Sequence, residues 1–328
     1  QHNPSQERWR SAQLAAHLQR LGERLSVAEP HPAQPGCFQL QWAMPASQRC
    51  TVVIPTRDRA DLLEACLESV WRTRGLGNEA LELEFLVVDN GSVELATEEL
   101  FSRWRLKLGD RLLVSRDPRR FNWSALNNGA AALSRAPLLL FLNNDIEALD
   151  PGWLEAMAAQ ALRPQVGCVG AVLLYPDRTV QHAGVVVGMH GGADHAYARL
   201  PYPCTVHRGR SQLLTTWGAV TGACLMVRRE LFVQVGGFDE GFPVEFNDID
   251  FCLRLLQLGY RHLVVPEAVL LHHESQSRDA RASATAADAL TRLQVHWNAR
   301  LKTPTPWWPP ACAVNFPDGR PAGLEVLL

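Results

Sequence analysis

Apolar residues along the middle of the chain occur in short, unbroken runs, and each run is followed by a segment whose apolar positions recur at helical spacing. β-Branched and large apolar residues dominate the runs, which predicts strands rather than helices. This alternation is typical of a parallel, doubly wound α/β sheet with helices on both faces. The predicted strands of this series lie at 51–56, 83–92, 111–115 and 138–142.

The pattern changes after the predicted helix at 151–162. The apolar segments that follow are separated by loops containing glycine, proline and histidine, and no internal repeat is visible. We predict further strands at 166–175, 182–189, 221–227 and 262–275, and helices at 228–235, 249–258 and 280–300.

The two ends of the chain differ from this regular middle. Apolar residues at helical spacing predict a helix over 1–25, whereas 26–48 contains four prolines and is predicted to be an extended connector. We therefore divide the chain into an N-terminal helix and linker at 1–48, a main domain at 49–300 and a C-terminal tail at 301–328.

Composition narrows the class of protein. The 328 residues, 47% hydrophobic and 20% charged, are typical of a globular protein with one large domain or two smaller ones. A formal net charge of −2 provides no basic footprint, so we expect no nucleic acid partner. The eight cysteines are scattered without a C-x-x-C pair, which predicts free, buried thiols in a reducing compartment.

The sequence shows no feature of a membrane-inserted or secreted chain. No run approaches the roughly 18 apolar residues of a membrane span, and no signal peptide is visible. We therefore expect a cytoplasmic location. The first residue is Gln1 rather than methionine, which is consistent with a segment of a longer protein.

Polar clusters that contain aspartate follow three of the predicted strands: Thr56-Arg57-Asp58, Asp89-Asn90-Gly91-Ser92 and Asn143-Asn144-Asp145. Each cluster alone favours a turn or a helix cap. Parallel strands end at one edge of a sheet, however, and three such clusters would form an acidic, amide-rich cleft there. That cleft suits a nucleoside with a cation-bound diphosphate. No G-x-G-x-x-G follows any strand, so the phosphate loop of a dinucleotide-binding fold is absent.

Longer motifs, in a fixed order, are similar to those of one known family. They are VVIPTRDRADLLEACLESV, LVVDNGS, FNWSALNNGA, LLLFLNNDIEALDPGWLEAM, VGAVLLYPDRTVQHAGVVVG, VTGACLMVRRELF, VGGFDE, FNDIDFCLRLLQLGYR and HHESQSR. Residues 37–300 thereby resemble bacterial family 2 glycosyltransferases, especially those that build O-antigens and related surface polysaccharides, such as rhamnosyltransferases. The resemblance implies a GT-A fold, with a doubly wound, mostly parallel central sheet, flanking helices and a small additional mixed sheet. The tail after Thr303 departs from the family's pattern.

The resemblance implies a nucleotide-sugar site at the three strand ends. Thr56, Asp58 and Asp89 match the positions that hold the nucleoside, and Asp89 would face the pyrimidine. The triplet Asn143-Asn144-Asp145 matches the family's D-x-D motif, although its first residue is Asn here. Asp145 would then bind the divalent cation, Mg²⁺ or Mn²⁺, that bridges to the donor diphosphate.

Asp248 matches the family's catalytic base. A carboxylate in a glycine-flanked loop that opens a helix can take the proton of an acceptor hydroxyl. The alternative is a helix N-cap, for which Asn247 or Asp248 is well suited. Asp250 and Arg254 lie four apart on the same predicted helix and are expected to form an ion pair.

Histidine can complete the metal site of related enzymes after the last strand. His272 and His273 are both placed there; the spacing to Ser277 favours His272, and a structural role is the alternative. For each of the remaining candidates, a helix cap or a place in the core is the alternative. Asn122 and Asn127 are candidates for nucleotide contacts, and His182, His195, Trp217 and Asn247 are candidates for contacts with the sugar or the acceptor.

These residues lead to a predicted function. We expect an inverting, metal-dependent glycosyltransferase that moves a sugar from dTDP-rhamnose or a UDP- or GDP-hexose to a growing surface polysaccharide. The acceptor is expected to be lipid-linked, at the inner face of the cytoplasmic membrane. The helix at 1–25 is a candidate link to another transferase domain or to a membrane-associated partner. The alternatives are a catalytically inactive sugar- or nucleotide-binding module and a nucleotidyltransferase; the latter expects a glycine-rich, basic loop that TRDRADLL does not provide.

Overall fold

The computed structural model describes residues 4–75, 81–273, 282–303, 305–309, 312 and 316–318. The strands are β1 Leu25–Pro30, β2 Phe38–Trp42, β3 Arg49–Thr56, β4 Glu82–Asp89, β5 Leu112–Arg116, β6 Leu138–Leu142, β7 Ile146–Ala148, β8 Val166–Leu174, β9 Val180–His182, β10 Val185–Val187, β11 Ala193–His195, β12 Thr215–Trp217, β13 Cys224–Arg228 and β14 Arg261–His272. The helices are α1 Pro4–Arg20, α2 Ala60–Thr73, α3 Leu95–Leu108, α4 Trp123–Leu133, α5 Trp153–Ala161, α6 Val206–Gly209, α7 Arg229–Gln234, α8 Asn247–Gln257 and α9 Ala282–Leu301.

A mixed sheet of ten strands forms the centre of the molecule, in the order β12-β14-β8-β13-β6-β3-β4-β5, with β7 beside β14 and β9 beside β8. The four strands predicted as a parallel series, β3 to β6, pair in parallel. The second half adds the antiparallel strand β13, which lies between β6 and β8. Two small antiparallel sheets, β1-β2 and β10-β11, accompany the central one.

Helices cover both faces of the sheet because its strands are apolar on both sides. Along β6, Leu138, Leu140 and Leu142 belong to one buried apolar cluster, and Leu139 and Phe141 belong to another. This alternation follows from the two-residue period of a strand. Helices α2, α3 and α5 pack into the first cluster, and α4, α7, α8 and α9 pack into the second.

The N-terminal segment corrects the expectation of an extended connector at 26–48. Residues 25–30 and 38–42 pair as the antiparallel strands β1 and β2. Proline is tolerated here because Pro30 is the last residue of strand β1. At the end of a strand, the missing N–H removes little of the hydrogen-bond ladder. The predicted helix over 1–25 is shorter, since α1 ends at Arg20.

A half-buried ion pair fastens this segment to the main domain. Glu23 accepts hydrogen bonds from Arg163 Nε (2.9 Å) and Nη2 (2.8 Å), from Gln165 Nε2 (2.8 Å) and from Trp42 Nε1 (2.8 Å). The hydrogen bond from Arg163 is the main reason that the pKa of Glu23 lies below its ordinary value, against burial, which raises it. The Arg163 guanidinium also stacks over the Trp42 ring, 4.3 Å from its centroid.

The described part of the tail packs against the main domain. Trp308 is 3% exposed and lies against the rings of Tyr197 and Trp217. The Tyr197 amide donates to the Pro317 carbonyl at 2.6 Å, and His207 Nε2 lies 3.0 Å from the Cys312 sulfur.

Two expectations about the whole chain can be compared with the structure. All eight cysteines are free, and seven of them are buried. Among the described residues, no helix combines the length and the apolar character needed to cross a bilayer.

Candidate active site

The three polar strand ends meet at one edge of the sheet, as the parallel arrangement predicts. The Asn144 side-chain amide donates to Thr56 Oγ1 at 3.0 Å, so the ends of β3 and β6 are joined directly. The Asn90 amide donates to the Thr56 carbonyl at 2.8 Å, and the Asp58 amide donates to Ser92 Oγ at 2.8 Å, which joins the ends of β3 and β4.

Two of the predicted nucleoside contacts already have protein partners. Asp58 Oδ1 accepts from the backbone amides of Val93 (2.7 Å) and Glu94 (2.9 Å), just before α3. Asp89 is 2% exposed, and its two oxygens accept from the Ser92 amide at 2.7 Å and from Arg116 Nη1 at 3.0 Å. Both carboxylates thus hold the loop in shape.

The triplet after β6 begins with a residue that organises its neighbours. Asn143 Oδ1 accepts from Trp123 Nε1 at 3.2 Å, and the Asn143 amide donates to the Ala223 carbonyl at 3.0 Å. The Trp123 ring in turn lies against Gly222, where a Cβ would come within 3.0 Å of it. The first position of the triplet therefore connects β6 with α4 and with the start of β13.

Asp145 faces His272 at the end of β14. Its Oδ1 lies 3.1 Å from His272 Nε2, and the two side chains are 10% and 5% exposed. The register of β7 and β14 brings them together, since Ile146 is paired with His272. Despite this distance, Asp145 Oδ1 receives no hydrogen bond from any described residue.

The other ring nitrogen of His272 contacts a buried glutamine. His272 Nδ1 lies 2.9 Å from Gln181 Oε1, and because an amide oxygen accepts, this contact suits a proton on Nδ1. Burial raises the pKa of Asp145, but the contact and the charge of His272 lower it by more, so the carboxyl pKa lies below its ordinary value. The carboxylate is therefore ionised and next to a histidine nitrogen, a pair of ligand types that divalent metals accept.

The neighbouring histidine points to a different partner. His273 Nε2 lies 3.2 Å from Glu147 Oε2. The ring of His272, and not that of His273, therefore lies beside the Asp145 carboxylate, although the His273 amide donates to the Asp145 carbonyl at 3.0 Å. Ser277, whose spacing favoured His272, lies outside the described residues.

Asp248 lies in the first turn of α8 with both oxygens hydrogen-bonded to backbone amides. Oδ2 accepts from Gly222 at 2.7 Å, and Oδ1 accepts from Ile249 at 2.8 Å. Burial raises the pKa of Asp248 above its ordinary value, against those two hydrogen bonds and the charge of His195, which lower it. Asn247 is buried; its Oδ1 accepts from the Asp248 amide at 2.7 Å, so it supports the loop.

His182 and His195 form a pair of contacting imidazole rings. Their Nδ1 atoms lie 2.8 Å apart, and their rings are nearly perpendicular, at 86°. His182 is fully buried, which favours the core hydrogen-bonding alternative over a contact with the sugar. Burial, with the charges of His195 and His272, lowers the pKa of His182 well below its usual value, so its ring is neutral.

Three further candidates are buried or already hydrogen-bonded, which favours their capping or core roles. Trp217 is 1% exposed, donates to Thr215 Oγ1 at 2.8 Å and packs in the core, so it offers no face to an acceptor sugar. Asn122 caps α4, because its Oδ1 accepts from the Ala125 amide at 3.0 Å. Asn127 is fully buried and donates to the Trp123 carbonyl at 2.8 Å.

One residue of this region was missed from the sequence. Gln181 directly precedes His182 in the motif VQHAG, and it is 6% exposed. The signal in the sequence is a glutamine directly before a predicted strand. Such a side chain becomes buried with the strand and then needs a polar partner. The ion pair predicted for Asp250 and Arg254 is present, with Oδ2 and Nε 2.8 Å apart.

A second group of metal-ligand types lies elsewhere in the core. The ligand atoms of Cys168, Cys252 and His262 lie within 4.8 Å of one another. However, His262 Nδ1 accepts from the Cys168 amide at 3.0 Å, and Nε2 lies 2.9 Å from the Cys252 carbonyl. Burial lowers the pKa of His262 to about 4. Both ring nitrogens are therefore satisfied by the backbone, which makes this a packing group.

Comparison with known proteins agrees with the fold. The model of the family described as Glycosyl transferase family 2 matches residues 51–236. The chain belongs to this family and is therefore a glycosyltransferase.

Two individual proteins are similar to this chain over part of their length. The O-antigen biosynthesis protein RfbC of Myxococcus xanthus is 40% identical over 270 residues, which are 82% of this chain and 20% of that protein. An N-acetylglucosaminyl-diphospho-decaprenol L-rhamnosyltransferase of Mycobacterium tuberculosis is 30% identical over 168 residues, 48% of this chain and 52% of that protein. The chain thus spans about a fifth of the first relative and about half of the second.

A solved structure shows the same fold. A mannosyltransferase from Pyrobaculum calidifontis, in complex with GDP-Man and Mn²⁺, superposes with a TM-score of 0.57 at 18% identity, covering 81% of this chain and 71% of that one. The predicted GT-A fold is confirmed, and its central sheet is mixed.

Proposed function

We propose that this chain catalyses inverting, metal-dependent transfer of a sugar from a nucleotide-sugar donor to a glycan. The observation that supports this most directly is the buried contact between Asp145 and His272, 3.1 Å apart and without a hydrogen bond to Asp145 Oδ1. It lies at the sheet edge where α/β proteins bind ligands.

The two side chains fit a divalent cation, Mg²⁺ or Mn²⁺. Asp145 Oδ1 and His272 Nε2 lie 3.1 Å apart at the sheet edge. With the His272 proton on Nδ1, the Nε2 lone pair and the carboxylate oxygen would both be available to one cation. A cation bound by Asp145 and His272 would offset the charge that develops on the departing diphosphate.

Asp248 is suited to act as the base. An ordinary aspartate is a weak base, and a raised pKa brings it closer to the operating pH. Its backbone hydrogen bonds to Gly222 and Ile249 fix the direction of the carboxylate. In the proposed reaction, Asp248 takes the acceptor hydroxyl proton as that oxygen attacks the anomeric carbon, and the nucleoside diphosphate leaves from the opposite face.

The partners remain proposals that rest on relatives. We propose dTDP-rhamnose or a UDP- or GDP-hexose as donor, bound near Thr56, Asp58, Asp89 and Asn144. The solved mannosyltransferase contains GDP-Man and Mn²⁺, and one relative is named as a rhamnosyltransferase with a decaprenol-linked substrate. We accordingly propose a lipid-linked glycan acceptor of surface-polysaccharide synthesis, met at the inner face of the cytoplasmic membrane, and a larger protein around this domain.

The test is release of nucleotide from a panel of nucleotide sugars, with and without Mn²⁺ or Mg²⁺, in the presence of a glycan acceptor. Asp248→Asn should lower turnover about 100- to 10,000-fold, the usual contribution of a general base, while leaving donor affinity unchanged. Asp288→Asn, which changes an exposed carboxylate on α9 in the same way, is the matched control. If Asp248→Asn turns over at the wild-type rate, Asp248 is not the general base. A wild-type chain that binds donor but never turns it over would favour an inactive binding module.

A further inference from the structure

We propose that Gln181 is a positioning residue that sets the tautomer and the ring orientation of His272, so that Nε2 is presented to the metal. This inference rests on the proposed function, because it assigns a role in the same metal site. Gln181 lies on the short strand β9, directly before His182 in the motif VGAVLLYPDRTVQHAGVVVG, and outside the three strand-end clusters.

The geometry leaves Gln181 one main polar task. His272 Nδ1 lies 2.9 Å from Gln181 Oε1, and the two residues are 4% and 6% exposed. Water therefore competes little for either group. A buried imidazole without this acceptor would be free to place its proton on either nitrogen.

The opposite orientation of the Gln181 amide is less favourable. It would donate to Nδ1 and place the histidine proton on Nε2, facing Asp145. Yet Asp145 Oδ1 has no hydrogen bond from the described residues, even at 3.1 Å from Nε2. The arrangement with Nδ1 protonated satisfies the Gln181 oxygen and leaves Nε2 as a metal donor.

The position of β9 explains how Gln181 reaches the His272 ring. It pairs with β8 antiparallel, and β8 pairs with β14, the strand that ends in His272. Gln181 therefore reaches the end of β14 from two strands away. Outer partners of this kind orient metal-binding histidines, and their loss typically weakens metal binding about 10- to 100-fold.

The experiment measures Mn²⁺ binding to the whole chain without donor, by electron paramagnetic resonance of the free ion. Gln181→Met keeps an unbranched side chain of similar size but removes the acceptor, and we expect the Mn²⁺ Kd to rise about 10- to 100-fold. Gln181→Glu restores an acceptor oxygen and should bind Mn²⁺ at least tenfold more tightly than Gln181→Met. The matched control is Gln160→Met, which alters another buried glutamine whose oxygen accepts from Arg163 at 2.8 Å; its Kd should stay within twofold of wild type.

A second readout needs no metal. In ¹⁵N-histidine-labelled protein, the imidazole shifts report which nitrogen is protonated, and the spectrum of His272→Gln identifies the His272 signals. Wild type should show a proton held on Nδ1, and Gln181→Met should show a mixture of tautomers. If Gln181→Met does not fold, Gln181→Asn, which keeps the amide but withdraws it by one methylene, replaces it.

The outcomes separate the two proposals. Wild-type Mn²⁺ affinity and an unchanged His272 spectrum in Gln181→Met would overturn the role of Gln181 while leaving the metal site intact. A wild-type chain that binds no Mn²⁺ would overturn the metal part of the proposed function, and the imidazole spectra would still decide whether Gln181 sets the tautomer.

Discussion

Replacing Gly184 by alanine would place a methyl group inside the ring of Trp217. A Cβ at this position would lie 2.1 Å from Trp217 Cδ2, 2.2 Å from Cε2 and 2.4 Å from Cγ. The backbone adds a second difficulty, since φ is +124°, a conformation that residues with a Cβ rarely adopt.

The Trp217 ring has little room to move away. The side chain is 1% exposed, its Nε1 donates to Thr215 Oγ1 at 2.8 Å, and its ring packs against Tyr197 and Trp308 with centroids 6.0 and 6.4 Å away. Ordinary contact begins at 3.4 Å, so the nearest ring atom would have to retreat by 3.4 − 2.1 = 1.3 Å.

The expected cost combines two effects. Backbone strain at such a position contributes about 1–3 kcal/mol. Overpacking a closely packed core contributes about 1–3 kcal/mol more. We therefore expect Gly184→Ala to lower the free energy of unfolding by about 2–6 kcal/mol, a large share of the roughly 5–15 kcal/mol of a typical domain.

Calorimetric and denaturant-induced unfolding measure this, with two glycine controls. Gly236→Ala has φ +78° and nothing within 4 Å of the new Cβ, so only strain should appear, about 1–2 kcal/mol. Gly129→Ala lies inside α4 with free space and should stabilise the protein by about 0.5–1 kcal/mol. If Gly184→Ala lowers the free energy of unfolding no more than Gly236→Ala does, the Trp217 ring moves aside easily and the expected overpacking is refuted. In the double variant with Trp217→Leu, the loss should be at least about 1 kcal/mol smaller than the sum of the single losses.

Three further predictions concern the base, the N-terminal segment and α4. Because the pKa of Asp248 is raised and the base must be ionised, turnover should fall on acidification at a pH above the ordinary aspartate value of about 3.9; a limb at or below that value in the pH profile of kcat would contradict this. The pKa of Glu23 is lowered in the folded state, so its stabilisation is present above the unfolded pKa and lost as pH falls through the folded one. Glu23→Gln should therefore cost about 1.5–3 kcal/mol at pH 7 and less in acid, seen as faster amide exchange in β1 and β2, and equal exchange at pH 7 would refute it. Asn122→Ala should lower stability by about 1 kcal/mol through the lost cap and leave the donor KM unchanged; a raised KM with unchanged stability would restore the nucleotide contact.

Local periodicity was enough for the first half of the sheet. Apolar runs at 51–56 and 138–142 correspond to β3 and β6 with ends within two residues of the prediction. The polar residues after them meet at one edge because parallel strands must end there. For the same reason, Thr56 and Asn144 are in contact, although they lie 88 residues apart.

The second half depended on contacts that no local pattern encodes. The strand predicted at 182–189 is shorter in the structure: β9 ends at His182, and β10 covers Val185–Val187 after Gly184, which lies against the Trp217 ring. For Trp217, the sequence makes burial the default but does not show which residues cover the ring. Its neighbours in the structure include Gly184, Tyr197 and the tail residue Trp308, for which the sequence predicted no structure.

By itself, then, the sequence determined the α/β class, the family resemblance and the aspartate that follows β6. Those properties follow from residue order and from the two periods of strands and helices. Only the tertiary structure decided that His272 rather than His273 faces Asp145, since adjacent residues of a strand point to opposite sides and the register with β7 selects between them. It also placed Gln181 behind His272 across two strands, a relation set by strand pairing and invisible in the residue order.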